Sequence, residues 1–134
     1  MSLLKWSAQL DIGVSEMNHQ HQDLLDLMNN LHDAYEAKQP FDAQKVCFLK
    51  LKTATVEHFT NEEKYMEKIE WAKLPTHKII HQRLLEEFGK HEKIFFEKNE
   101  LTEDFFRFLK FWLSSHIQGI DMEYGQSVKQ KKGA

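Results

Sequence analysis

Eight histidines stand out in a chain of 134 residues because of where they fall. His58 and Glu62 are four residues apart, and so are His77 and His81. On a helix that step returns a side chain to the same face, about 6 Å further along the axis. His21 and His116 stand among apolar residues recurring at steps of three and four, and Asp121 follows His116 by five. Imidazoles on an apolar face suit iron, copper, nickel or zinc, whereas calcium and magnesium want oxygen. Five imidazoles and two carboxylates exceed the four ligands of a structural zinc. Shared over two ions they suit a carboxylate-bridged pair, with Glu62 and Asp121 each spanning both metals. Bridging carboxylates within a helical bundle point to iron; manganese and zinc stay open on ligand type alone.

Such a set needs elements that bring it together. Residues 1–17 show no sustained period and read as an extended arm, packed down by Trp6 and the Leu3/Leu4 pair. From Asn18, His21, Leu24, Leu25, Met28, Leu31 and Tyr35 mark one face of a helix. Gln39-Pro40 ends it, since the residue before proline is steered out of the α region. A second helix starts near Phe41 with an inner stripe of Cys47, Leu51, Ala54 or Thr55, His58, Glu62, Tyr65 or Met66, and Ile69. Leu74-Pro75-Thr76 opens a third, proline being tolerated in a first turn; its stripe includes His77, Ile80, His81, Leu84, Phe88, His91 and Phe95. Asn99 to Thr102 is the next break, and the fourth helix carries Phe105, Phe108, Leu109, Trp112 and His116. The expected fold is all-α: an up-down-up-down four-helix bundle over about residues 18–128, with the arm before it and a short basic, solvated tail after it.

Counting back from the turns at a rise of 1.5 Å per residue puts all seven candidate ligands in one slab about 9 Å thick. His32 and His91 lie about 15 Å or more along their helices from that layer and read as core or boundary residues. His19 shares a polar face with Gln22, Asp23 and Asp26 and reads as solvated. The pair His116 and Asp121 is awkward: five residues turn a regular helix by about 500°, which sets the two side chains about 140° apart. A disturbed turn between Ser115 and Asp121 answers this, and a π-bulge is the kind that brings i and i+5 towards one face. Gly119 eases it by lowering the local helix preference. The alternative is an unbroken helix with Asp121 approaching from the side.

Composition bounds the rest. Seven Gly and Pro together leave little room for the tight turns of a sandwich or barrel. A net charge of -3 offers no basic footprint for nucleic acid. No 18-residue apolar run and no apolar N-terminal segment appear, which argues against membrane insertion and export. One cysteine, Cys47, cannot form an internal disulfide, so a reducing, cytoplasmic setting is expected.

His21, His58-Phe59-x-x-Glu62, His77-x-x-x-His81 and His116-Ile117-x-x-x-Asp121-x-x-Tyr124-Gly125 resemble the ligand set of the hemerythrin family, specifically its single-domain bacterial members. Asp11-Ile12-Gly13-Val14, Gln20-His21, and Glu62-Glu63 with Met66 extend the likeness over about residues 6 to 125. Asn18 stands where an Asp is common, and Leu74 precedes Pro75 where Tyr often does. The resemblance implies two iron ions, one held by His77, His81 and His116 and the other by His21 and His58. Glu62, Asp121 and an oxo or hydroxo oxygen bridge them. Dioxygen is the implied partner, taken reversibly at the open position of the two-histidine iron, with Leu24, Trp112, Leu113 and Ile117 lining the pocket. Storage, delivery or scavenging of dioxygen is thus expected in preference to catalysis. The alternatives are a di-iron oxidase, a reductase of peroxide or nitric oxide, and an oxygen or iron sensor acting through a separate partner. A protein partner is not indicated.

Overall fold

The structure, a computed structural model, describes residues 3–133, and side chains only as far as residue 128. Four helical rods run in sequence: α1 (Ser15–Glu36), α2 (Phe41–Lys68), α3 (Leu74–Lys98), and a fourth built from α4 (Glu103–His116), a π-helical turn (Ile117–Asp121) and α5 (Met122–Gly133). Short breaks over 37–40, 69–73 and 99–102 join them, so neighbours are antiparallel and the chain forms a four-helix bundle. No helix among the described residues is long and apolar enough to cross a membrane.

The rods form where the apolar period runs and stop where the backbone is forced to turn. Pro40 caps α2 with an extended backbone, and the Thr102 hydroxyl accepts the Phe105 amide at 3.1 Å to open α4. With so few glycines, the left-handed residue that ends each of the first three helices is not one: Lys38, Glu70 and Asn99 take φ of 53°, 55° and 56°. At the first two, the Gln39 amide reaches back to the Ala34 carbonyl and the Trp71 amide to that of Met66. That longer-range closure satisfies carbonyls a helix end otherwise leaves open.

The core continues from end to end of the bundle. Met17, Leu24, Met28 and Leu31 of α1 meet Phe48 and Leu51 of α2, Phe88 and Phe95 of α3, and Phe105, Leu109 and Leu113 of α4. Phe48 anchors the end away from the histidine layer, its ring 5.0 to 5.4 Å from Phe95, Phe88 and Phe105. Cys47, expected on the inner stripe, is only half-buried. The larger Phe48 has taken the inward position, because one step around the helix decides which of the two faces the core.

Two expectations at the ends need correction. The arm is not wholly extended: Ala8–Leu10 form a 3₁₀ turn, and α1 begins at Ser15. Leu3, Leu4 and Trp6 do pack on the body. The tail is not a separate coil, since α5 carries helix to Gly133; its solvation beyond residue 128 lies outside the described side chains. A clip holds the arm to α1. The Asp11 carboxylate accepts from the Gly13 amide and the Asn18 side chain, and the Asn18 oxygen accepts from the Ile12 amide. Asn18 both donates and accepts here; an Asp in its place would set a second carboxylate against Asp11. Gly13, at φ 80°, supplies the left-handed turn that glycine adopts without strain. Gly125 lets Ile12 approach, because a Cβ there would collide with the Ile12 carbonyl.

Candidate metal centre

All seven ligand candidates are buried, the least so being His116 at 6% exposed. His21 comes from α1, His58 and Glu62 from α2, His77 and His81 from α3, His116 from the end of α4 and Asp121 from the end of the π turn. The pair His58 and Glu62 and the pair His77 and His81 each share a face through the four-residue step. The five-residue pair is brought together by the disturbed turn expected for it. Widening over Ile117–Asp121 sets His116 Nε2 3.1 Å from Asp121 Oδ1, so the unbroken-helix alternative falls.

The donors divide into two groups able to hold a metal ion: Glu62 with His77, His81 and His116, and Glu62 with Asp121, His21 and His58. Each carboxylate faces both groups, one oxygen to each. Glu62 Oε1 lies 2.9 Å from His81 Nε2 and 3.1 Å from His77 Nε2, while Oε2 lies 3.4 Å from His58 Nε2 and 3.6 Å from His21 Nε2. Asp121 Oδ1 lies 3.0 Å from His77 Nε2, and its Oδ2 lies 3.1 Å from His21 Nε2.

These separations suit an ion. At a metal–ligand distance of about 2.1 Å in an octahedral shell, adjacent donors sit about 3.0 Å apart and opposite donors about 4.2 Å. Most pairs in the three-histidine group fall near the first value, including His77 and His116 nitrogens at 3.3 Å. His116 and Glu62 Oε1, at 3.9 Å, fall near the second. Both Asp121 oxygens and His21 Nε2 are buried yet make no aligned hydrogen bond, although their neighbours are within 3.1 Å. Buried carboxylate oxygens rarely go without hydrogen-bond partners. These aim at a common point instead of at one another.

Without metal, the charges settle among themselves. Burial opposes protonation of His21 and His116, but the Asp121 and Glu62 carboxylates outweigh it and lift them to about 9 and about 10. The same balance raises His77. Burial prevails at His58 and lowers it. Burial also opposes ionisation of Glu62 and Asp121, yet the surrounding imidazoles hold both well below the usual carboxylate range. The metal-free centre therefore sets two carboxylates against protonated His21 and His116, and a cation entering it displaces protons.

Residues around the donors fix their orientation. His58 Nδ1 meets Gln20 Oε1 at 2.7 Å, His81 Nδ1 meets Glu63 Oε2 at 2.8 Å, and the Tyr124 hydroxyl donates to Glu62 Oε2 at 2.8 Å. Phe59 stacks on the His81 ring at 3.9 Å between centroids and an interplanar angle of 7°. Gln20 and Glu63 were legible only as neighbours of His21 and Glu62. Their contacts are with histidines on other helices, which no local spacing reveals. Of the expected pocket residues, Leu24, Trp112, Leu113 and Ile117 are all buried in the core, and Trp112 also lines a groove between α3 and α4. His19 is exposed, while His32 and His91 sit at the boundary at 15% and 14% side-chain exposure, away from the centre as expected.

A family model described as the hemerythrin HHE cation binding domain matches residues 12–127. The chain belongs to the hemerythrin family. It is 31% identical over 127 residues to the bacteriohemerythrin of Methylococcus capsulatus, covering 93% of this chain and 96% of that protein. It is 28% identical over 129 residues to the bacteriohemerythrin of Stenotrophomonas maltophilia, covering 96% and 84%. A solved structure of wild-type hemerythrin superposes with a TM-score of 0.85 at 30% identity, covering 92% of this chain and 96% of the other. The clip at Asp11, Gly13 and Asn18, the close approach at Gly125 and the π turn all fall within or at the edge of this hemerythrin match, and each helps to set the height or phase of a donor.

Proposed function

We propose that this hemerythrin binds dioxygen reversibly at a pair of iron ions held by His21, His58, Glu62, His77, His81, His116 and Asp121. The observation that carries the reading is the division of donors: three imidazoles face one side of the shared carboxylates and two face the other. With both carboxylates counted to each side, an ion held by His77, His81 and His116 would take five donors from the chain. One held by His21 and His58 would take four, which would leave more of the second ion's coordination open. A pair of ferrous ions, when bound, supplies the two electrons that reversible dioxygen binding needs.

The chain's own residues do the rest. Glu62 and Asp121 present one oxygen to each side and so fix the spacing of the pair. Gln20 and Glu63 hold the His58 and His81 rings by their outer nitrogens, and such partners sharpen ligand geometry and basicity. Tyr124 holds Glu62 in place. Burial first, and then the charges of Glu62 and Asp121, raise its phenol far above the ordinary value in the metal-free chain, where it donates to Glu62 Oε2. Leu24, Leu113 and Ile117, at most 2% exposed, keep water out, and a dry site slows proton leakage to bound ligand. A cytoplasmic role in storage, delivery or scavenging fits these features.

Metal analysis joined to an optical spectrum under nitrogen and then air tests the proposal. Two irons per chain are expected, with a colour that develops in air and bleaches on deoxygenation. Sustained turnover with a reductant, or a colour that cannot be reversed, defeats it. Leu113→Ser should keep its iron and convert to the ferric form about tenfold faster or more, as water enters. An unchanged rate would remove Leu113 from the pocket.

A further inference from the structure

A groove of about 440 Å³ opens between α3 and the fourth rod, within the size range of small-molecule sites. Ile80, Leu84, Phe108 and Phe111 form its sides, and the buried Trp112 and His116 lie beneath them. Neither His21, His58 nor Asp121 borders it, so apart from Trp112 it is separate from the dioxygen pocket proposed above. Phe111 is 73% exposed, the most exposed large apolar side chain among the described residues. A ring so placed beside an apolar hollow leaves hydrophobic area that a ligand can cover.

The polar groups of the groove are unmatched in one direction. Arg83 stands at its edge, exposed, and has no acidic partner among the described residues. Glu87, the acid that also lines it, is already within 3.6 Å of Lys90 and 3.7 Å of His91. Beneath, the Trp112 indole N–H is buried and lacks an acceptor, which carries a desolvation cost. Both unmatched groups are donors, and one is a full positive charge.

We propose that this groove binds a small apolar carboxylate, with its hydrocarbon body along Phe108 and Phe111 and its head group on Arg83. A cationic head would meet Arg83 and a Glu87 already shared with two neighbours, and a neutral alcohol would leave the guanidinium unpaired. His116 lines the same groove, with its Nε2 facing Asp121 and Glu62. The inference needs neither iron nor dioxygen binding, since it rests on the groove alone.

Calorimetric titration of the metal-loaded protein with sodium octanoate, octan-1-ol and octylammonium chloride tests it. Octanoate should bind saturably at about millimolar concentration or tighter, and the ammonium should not. Arg83→Gln should weaken octanoate about three- to fivefold, the range of a partly exposed ion pair, and leave octanol unchanged. Phe111→Ala should weaken both by about threefold or more. Both positions are exposed, and an unchanged melting temperature confirms that folding is unaffected. The proposal is overturned by an absence of saturable octanoate binding up to about 10 mM, or by Arg83→Gln weakening octanoate and octanol alike. It is equally overturned if sedimentation shows a dimer, abolished by Phe111→Ala, that octanoate does not dissociate, because a second copy of the chain then fills the groove. Loss of octanoate binding with intact reversible colour, or the reverse, separates failure here from failure of the dioxygen reading.

Discussion

His77 and His81 come from one helix, a turn apart, with His116 facing them from the fourth rod, whereas His21 and His58 come from two helices that give one imidazole each. The first side is the more rigidly built. Its rings pack on one another at 4.5, 5.1 and 5.3 Å between centroids, Phe59 stacks on His81, and the carboxylate of Glu63 backs His81. On the second side, His21 and His58 meet edge to face at 4.7 Å, and only the neutral Gln20 amide backs His58. One side thus offers three imidazoles and a charged backing group, and the other two imidazoles and a neutral one.

Removing the shared residue should erase the distinction. Glu62→Ala is expected to lose both metals and lower the melting temperature of the loaded protein by about 10 °C or more, as binding energy is folding energy. His58→Ala should instead release the metal of the two-histidine side first and keep most of the other. Metal content by mass spectrometry decides this; retention of two ions per chain in Glu62→Ala would refute the shared role.

A smaller effect should separate the residues behind the ligands. Glu63→Ala and Gln20→Ala are each expected to cost about 10- to 100-fold in metal affinity. The loss from Glu63→Ala should fall on the three-histidine side, and be the greater because a charge is removed. Competition against a calibrated chelator measures it, and equal losses at both positions would mean that the backing charge does not matter.

The mildest test uses protons. With His21 raised to about 9 and His116 to about 10, both are charged in the metal-free protein at neutral pH. Loading at pH 7 should release about two protons or more, with the larger share from the three-histidine side, where His77 is raised as well and His58 on the other side is lowered. Stability from the raised histidines is complete below about 6.5 and is lost as pH rises through 9 to 10. Glu62 and Asp121, being depressed, contribute above their ordinary range near 4 and lose that contribution in acid. The metal-free protein should therefore melt highest in mildly acidic solution and lower at pH 10, while loaded protein should not show the alkaline decline. Thermal melts with and without metal read this directly.

Much of this was legible in the chain because helices convert sequence steps into directions. Four residues return a side chain to one face, so His58 with Glu62 and His77 with His81 announce themselves. Five residues do not, so His116 with Asp121 left a choice between a widened turn and a side approach from an unbroken helix, and the structure has the widened turn. The heights of the seven donors followed from the helix rise and the positions of the first and third breaks. What spacing could not show is which way a residue beside a stripe leans. Phe48 displaced Cys47 from the core, and Gln20 and Glu63 reached histidines on other helices, because those choices depend on what the neighbouring rod leaves open.

The amino-acid order by itself determined an all-α bundle, the layer of seven donors and a five-residue spacing that a regular helix does not bring to one face, since periodicity and rise are local properties of the backbone. Only the tertiary structure decided between a widened turn and an unbroken helix, and it set the distances of a three-and-two division that the sequence offered only through the family resemblance. It also decided the backing of His81 by a charge and of His58 by an amide. Those are distances between rods, and they are set by how side chains of different helices fill the space between them.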